Sequence, residues 1–305
     1  MSVLNILLIG GSGFVSGTLA RTALAQGHRV WVVSRGQRPV PEGAVPLAAD
    51  RHDADAFAKA LDAADCTWDL AVDCIGYEPG DARQDLEVIG PRVGHLVFIS
   101  TDFVFDPAAR RFPQPEESSS YAAAGYGFKK RQCEEILLEA DGRLPWTVVR
   151  PCHIYGPGSR LGCLPRHGRD PDLLDRLRRG EPLALVGGGY FLQQPILAAD
   201  LAALILSLAG NEAAVGGIFN AAGPDVVESR HYYRIIADLL GVDLRIDEIP
   251  VDRHLLDEPG SGPFLCHRVY DLGRLRQSGA AVPATPLAEG LRLHVESLSG
   301  EASAG

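Results

Sequence analysis

The chain has 305 residues, of which 46% are hydrophobic and 22% charged, with a formal net charge of −10. That length suits one α/β domain with a smaller lobe grown from it, and the apolar content is enough to bury a sizeable core. Acidic residues outnumber basic ones by 39 to 29, which argues against a general nucleic-acid binder, because that role needs a dense positive surface.

Along the first half, short apolar runs alternate with amphipathic stretches, the pattern of a parallel sheet wrapped by helices. Strands are predicted at Leu4 to Ile9, Arg29 to Val33, Ala44 to Ala48, Asp69 to Cys74, His95 to Ser100 and Trp146 to Arg150. Helices are predicted over Gly13 to Ala25, Ala54 to Ala63 and Asp81 to Ile89. Strands this apolar on both faces belong inside a doubly wound α/β sheet of Rossmann type. After Pro151 glycine and proline become frequent, with helices expected at Asp172 to Arg179, Ala198 to Leu208 and Ser229 to Leu240. Short strands are expected at Leu183 to Val186, Gly217 to Asn220 and Leu244 to Ile249. The division that follows is a dinucleotide-type domain over residues 1–155, completed by strands near 183–196 and 216–222. A mainly substrate-binding lobe spans 156–296, and the small polar residues 297–305 read as a disordered tail.

No stretch approaches the ~20 apolar residues that span a membrane. The apolar run Ile6 to Ile9 lacks a basic flank and leads straight into glycines, unlike a leader segment. The six cysteines, Cys66, Cys74, Cys133, Cys152, Cys163 and Cys266, show no C-x-x-C pair and no metal-ligand spacing. Buried thiols, no metal, no membrane and a reducing cytoplasm are the expectations.

The first strand runs into Gly10-Gly11-Ser12-Gly13-Phe14-Val15-Ser16-Gly17. Glycines at such a strand-to-helix turn allow a tight bend and let backbone N–H groups approach a pyrophosphate at a helix N-terminus. Gly10, Ser12, Gly13, Phe14 and Val15 are therefore the candidate phosphate loop. Ser16 stands where a G-x-x-G-x-x-G loop has its third glycine; serine is small enough for helix–strand packing. The next strand ends Ser34-Arg35-Gly36-Gln37-Arg38. An acid there would bond the 2′-hydroxyl of NAD, whereas an arginine accommodates a 2′-phosphate. Arg35 and Arg38 make NADP the expected cofactor in preference to NAD.

Further on, Ser100-Thr101-Asp102-Phe103 closes a central strand and Tyr126-Gly127-Phe128-Lys129-Lys130 opens a helix. Tyr126 and Lys130 are four apart and share a helix face, so the ammonium is expected to lower the phenol's pKa and tune it for proton transfer. Y-x-x-x-K spacing is common by chance; its place after the fifth strand of a dinucleotide fold gives it weight. Thr101 could bond the same substrate oxygen.

The order of glycine loop, Ser/Thr strand end, Tyr126-Gly127-x-x-Lys130 and Arg150-Pro151-Cys152-His153-Ile154-Tyr155-Gly156-Pro157-Gly158 resembles the extended short-chain dehydrogenase/reductases, the NAD(P)-dependent epimerase/dehydratase family. The resemblance covers nearly the whole chain, down to Arg268-Val269-Tyr270-Asp271. Ser100 to Asp106 is similar to dTDP-4-dehydrorhamnose reductases. Ser34-Arg35-Gly36 and Asp73-Cys74-Ile75-Gly76-Tyr77 are closer to atypical members related to chloroplast stem-loop-binding proteins. The resemblance implies a Thr101-Tyr126-Lys130 triad in which Tyr126 is acid or base, Lys130 holds the nicotinamide ribose and Thr101 orients the substrate. It also implies adenine contacts at Asp50 and Arg51 and a cofactor lining at Cys74, Ile75 and Gly76. Ser100, Pro151 and His153 complete that cofactor set, with His153 beside the nicotinamide.

Members that dehydrate sugars need an acidic pair after the threonine. Here Asp102 is followed by Phe103, so reduction or epimerisation of a sugar or nucleotide-sugar is expected, with Asp102 and Phe103 facing the substrate. Members that bind nucleotide diphosphates carry an arginine where this chain has Gln193. Arg268 and Arg160, with Arg166 and Arg169, are the other candidates for holding a diphosphate. The alternatives are a cofactor-binding regulator without turnover and an RNA binder, the latter at odds with the acidic balance. A homodimer is expected by analogy with the family.

Overall fold

The computed structural model describes residues 2–140, 142, 144–165 and 169–304. In chain order it begins β1 (Asn5–Ile9), α1 (Phe14–Ala25), β2 (Arg29–Ser34), β3 (Val45–Ala48), α2 (Ala54–Ala63), β4 (Leu70–Asp73) and α3 (Pro79–Gln84). It continues β5 (Leu96–Ile99), α4 (Gly125–Glu139), β6 (Trp146–Pro151), β7 (Ile154–Tyr155), α5 (Leu173–Arg178), β8 (Leu183–Val186), β9 (Leu192–Gln193) and β10 (Ile196–Leu197). The remainder is α6 (Ala198–Ser207), β11 (Gly217–Ala221), β12 (Val227–Glu228), α7 (Ser229–Leu240), β13 (Ile246–Ile249), α8 (Val251–Asp257), α9 (Gly273–Gln277) and α10 (Leu287–Ala304).

Seven parallel strands form one sheet in the order β11-β6-β5-β4-β1-β2-β3. Period-two alternation sends Ile6 and Leu8 to a core shared with Leu19, Ala23 and Leu204, and Leu7 and Ile9 to a second core with Phe57, Leu61 and Leu137. Both faces are thereby covered, as a parallel sheet requires. The chain leaves β1 in one direction through β2 and β3, then crosses back to β4 and onward. This reversal opens a crevice beyond the C-terminal ends of β1 and β4.

The expected strands of the sheet domain form, but β8 does not complete its sheet as anticipated. It pairs instead with β13 in a two-stranded sheet of the second lobe, whose own core gathers Leu177, Leu183, Tyr232, Ile236 and Leu291. Only β11 joins the main sheet, beside β6. The end of the chain also departs from expectation: α10 continues through Ser297 to Ala304, where the composition suggested a disordered tail. Helix α3 starts two residues before the predicted Asp81, because Pro79 presets its first turn and the Asp81 carboxylate caps Tyr77 N at 2.8 Å and Glu78 N at 3.0 Å.

Helix α4 is clipped to the sheet by a fully buried ion pair. Arg150 Nε and Nη2 donate to the two Glu134 carboxylate oxygens at 2.9 and 2.7 Å, and Ser100 Oγ donates to Glu134 Oε1 at 2.5 Å. Removing one partner of such a pair strands the other charge in low dielectric. Arg150→Met should therefore cost about 3–5 kcal/mol in urea denaturation, while pairing it with Glu134→Met should recover part of that loss. A cost under about 1 kcal/mol for the single change would show that the pair does not hold α4 in place.

Candidate active site

Two cavities occupy the crevice and meet at Tyr77, which lines both. The smaller, about 440 Å³, lies over the glycine loop and the ends of β2 and β3. Gly10 takes φ +90°, and a side chain on Gly11 would collide with Val32. Ser16 is buried, donates from Oγ to Gly10 O at 2.5 Å and accepts from Gly13 N at 3.1 Å. The serine thus pins the loop onto the start of α1, so its presence at the third-glycine position braces the turn. Ser12 and Gly13 line this cavity, and Val15 lines the larger one. Phe14 opens α1 but lines neither.

Arg35 and Arg38 border the same cavity, exposed and without an ion-pair partner among the described residues. Asp50 stands opposite with its carboxylate accepting from His52 N at 3.0 Å. Arg51 was expected to contact adenine; it lines the cavity, and its guanidinium is held by buried carboxylates. It donates to Asp73 at 2.7 Å, to Asp85 at 3.0 Å, to Asp81 O at 3.0 Å and to Gln84 at 3.2 Å, with the side chain almost fully buried. Arg51 is a structural cation: it braces the loop after β4, where Asp73 Oδ1 accepts from Ile75 N at 2.8 Å.

The larger cavity, about 830 Å³, is lined mainly by apolar side chains, and Thr101, Tyr126 and Lys130 share its wall. Thr101 caps a single 3-10 turn, its Oγ1 accepting from Phe103 N at 3.3 Å. Tyr126 lies beside it on this wall, near enough for the Thr101 hydroxyl to draw the phenol's pKa down. Lys130 is buried and its ammonium donates to Gly76 O at 2.6 Å and Ile99 O at 2.5 Å, with the Phe98 ring centroid 4.3 Å away. This alters the electrostatic expectation for the tyrosine. Burial, reinforced by the Tyr77 hydroxyl, pushes the Tyr126 phenol up to about 12, and only the Thr101 hydrogen bond pulls the other way. With Lys130 occupied by two carbonyls, the phenol stays protonated through the neutral range.

Cys74, Ser100, Pro151 and His153 line this cavity, and Ile75 lines the smaller one. Gly76 contributes its carbonyl to Lys130, and a side chain there would strike Asp73 and Phe98. Of the expected substrate contacts, Phe103 and Asp102 reach the wall; Arg160, Gln193 and Arg268 line neither cavity. Arg268 is buried beneath the floor, where it bonds Asp102 and donates to Pro263 O at 3.0 Å. Gln193 is fully buried on β9. Arg169 does line the cavity, its Nη2 donating to Ile154 O at 3.2 Å, and Arg166 falls outside the described residues. Neither Arg110 nor Phe264 was singled out in the sequence; they join the site from segments with no motif.

The sequence and the geometry place the chain in a known group. It matches the NAD dependent epimerase/dehydratase family over residues 6–222 and belongs to that family; its relatives include reductases and epimerases. It is 27% identical over 238 residues to the chloroplast stem-loop binding protein of 41 kDa b from Arabidopsis thaliana, an alignment spanning 73% of this chain and 60% of that protein's length. It is likewise 27% identical over 282 residues to 2'-dehydrokanamycin reductase of Streptomyces kanamyceticus, spanning 89% of this chain and 78% of the reductase. In fold it is similar to UDP-glucose 4-epimerase of Thermotoga maritima solved with UDP-glucose, at 20% identity and a TM-score of 0.79 over 98% of this chain and 99% of that one. Among the described residues no helix is long and apolar enough to cross a membrane, and no His/Cys/Asp/Glu group could hold a metal ion.

Asp102 carries the clearest electrostatic signature. Burial alone would raise its pKa, but Arg268, Arg110 and the Tyr270 hydroxyl outweigh that and hold the carboxyl below the usual range. Tyr270 donates to it at 2.5 Å and Arg110 at 3.2 Å. A carboxyl whose folded pKa is depressed stabilises the fold above its unfolded value and loses that contribution as pH falls through the folded value. Asp102→Asn should cost about 3–5 kcal/mol at neutral pH, because two buried guanidiniums lose their counter-charge. The gap from wild type should narrow once the pH drops below about 4. Urea melts at both pH values test this; a gap independent of pH would mean that the carboxylate charge is not what stabilises the cluster.

Proposed function

We propose that the chain is an NADP-dependent reductase that converts a ring ketone of a small molecule to the alcohol. The observation that carries the reading is the Thr101–Tyr126 pair on the wall of the larger cavity, next to the junction with the arginine-bordered one. The crevice suits a dinucleotide phosphate. The braced glycine loop would take the pyrophosphate, Asp50 the adenosine end, and the uncompensated Arg35 and Arg38 a 2′-phosphate. Cys74, Pro151 and His153 would flank the nicotinamide end. When bound, the cofactor supplies a hydride.

Chemistry on the protein side falls to three side chains. Thr101 and Tyr126 hydroxyls hold the substrate carbonyl oxygen by hydrogen bonds. As the carbonyl carbon is reduced, electron density moves to that oxygen, and Tyr126 gives it the phenolic proton. A phenol with a pKa raised to about 12 is already in the acid form that this direction needs. Lys130, fixed between Gly76 O and Ile99 O, holds together the strand ends that frame the reaction and lends positive charge to the phenolate left behind. The protonated phenol and the NADP-type arginines both favour reduction over epimerisation.

Tyr126→Phe should bind NADPH nearly as wild type while ketone reduction falls by roughly 10² or more. Activity that survives this change would remove Tyr126 from the mechanism. Arg35→Asp should lower the preference for NADPH over NADH by about tenfold or more in kcat/KM, since the fork for the 2′-phosphate is replaced by a repelling charge. An unchanged cofactor ratio would exclude Arg35 as the selecting group.

A further inference from the structure

The geometry points to a substrate without a nucleotide diphosphate, seated by an apolar face against Phe103 and Phe264 beside the catalytic phenol. This rests on the reductase reading above and names the substrate class for the same site.

The first part of the argument is where the positive charge goes. Three described cations line the larger cavity: Lys130, Arg110 and Arg169. Lys130 is spent on two backbone carbonyls. Arg110 donates to Asp102 O at 2.7 Å and to its carboxylate at 3.2 Å, and also to the Tyr270 hydroxyl at 3.1 Å. Arg169 lies over the Phe14 ring, 5.8 Å from its centroid, at the start of α1 and therefore on the cofactor side. Arg268, in the segment where a diphosphate clamp was anticipated, is sealed under the floor with Asp102. A diphosphate needs charge-assisted, preferably forked, donors; Lys130, Arg110 and Arg268 have already made theirs, and Arg169, bonded to Ile154 O at 3.2 Å, lies against the start of α1.

The second part is what stands in their place. Phe103 sits two residues after Thr101, its ring 6.4 Å from Tyr126 and 5.5 Å from Phe264, in edge-to-face contacts. The Arg268 guanidinium lies 4.3 Å from the Phe103 ring centroid and holds that ring from below. Leu164 and Pro263 extend the same wall. A substrate hydroxyl turned to this surface would lose water without gaining a partner, at a cost of about 1–3 kcal/mol each, whereas a hydrocarbon face would gain from burial.

The test uses the full chain with NADPH and four probes: the bicyclic ketones tetralone and decalone, a free ketohexose, and a UDP-linked ketohexose. Cofactor oxidation gives kcat/KM, and calorimetry on the NADP-loaded protein gives the affinity for each probe and for UDP alone. The bicyclic ketones should exceed both sugars by about tenfold or more, and millimolar UDP should neither bind nor compete. Phe103→Glu and, separately, Phe264→Ala should raise the KM for the bicyclic ketones by about tenfold while NADPH affinity stays within about twofold. Preference for either sugar, competition by UDP, or failure of the NADP-loaded protein to bind any bicyclic ketone would overturn the inference and leave the reductase reading standing. Failure of the wild-type chain to bind NADPH would overturn that reading and the inference with it.

Discussion

The ammonium of Lys130 is the contact on which the site's geometry depends. It reaches from α4 to the carbonyls of Gly76 and Ile99, so one buried cation ties a helix to the C-terminal ends of β4 and β5. Those ends frame the crevice created by the reversal of strand order. A buried ammonium tolerates low dielectric only when its donors are used, and burial does push its pKa down, with Asp73 opposing. Lys130 therefore acts first as a positioning group. Tyr126 shares its helix face, and burial together with the Tyr77 hydroxyl holds that phenol up at about 12.

The same logic repeats around the site. Asp73, Asp102 and Glu134 are all buried, and each is matched by arginine: Arg51, Arg268 with the nearby Arg110, and Arg150. Each match fixes one border of the crevice, respectively the loop after β4, the floor of the larger cavity, and the seat of α4. The pairing with Asp73 is the tightest in charge terms, since Asp85 competes for Arg51. Burial and the neighbouring Asp73 raise Asp85 well above the carboxylate range, while Asp73 itself stays low. Asp73, Asp81 and Asp85 all lie within ion-pair distance of the one Arg51 guanidinium. Arginines consumed in this way are unavailable to ligands, so the two left unpaired at the end of β2, Arg35 and Arg38, stand out by contrast.

Much of the sheet domain was legible in the sequence because its signals are local. Apolar runs of four to six residues, the glycine turn after Ile9 and the Y-x-x-x-K spacing depend only on near neighbours. The failures share a different cause. Whether β8 pairs with β6 or β13 depends on partners about sixty residues apart, and its own apolar pattern suits either sheet. Arg268 looked like a ligand contact because arginine in a loop beside a motif has the right chemistry, and Arg51, which does line the smaller cavity, gave no sign that its guanidinium would be spent inside the fold. Only the fold shows that carboxylates at Asp73 and Asp102 reach them first. Ser16 shows the reverse: a mismatch to the glycine pattern turns out to add two hydrogen bonds that glycine could not make.

Phe103 joins these strands of reasoning. At a position where dehydrating relatives need a second acid, a carboxylate would have had to compete with Asp102 for Arg268, whose guanidinium lies over the position. An aromatic ring instead accepts the guanidinium on its face, about 0.5–2 kcal/mol of attraction that asks for no proton and no counter-ion. The position carries no acid–base group in this chain, and the aromatic wall stands beside Tyr126 and Thr101. A site that pairs the proposed phenol donor with an apolar wall, and lacks a second acid beside Asp102, is suited to a two-electron reduction of a carbonyl and poorly suited to removing a hydroxyl group.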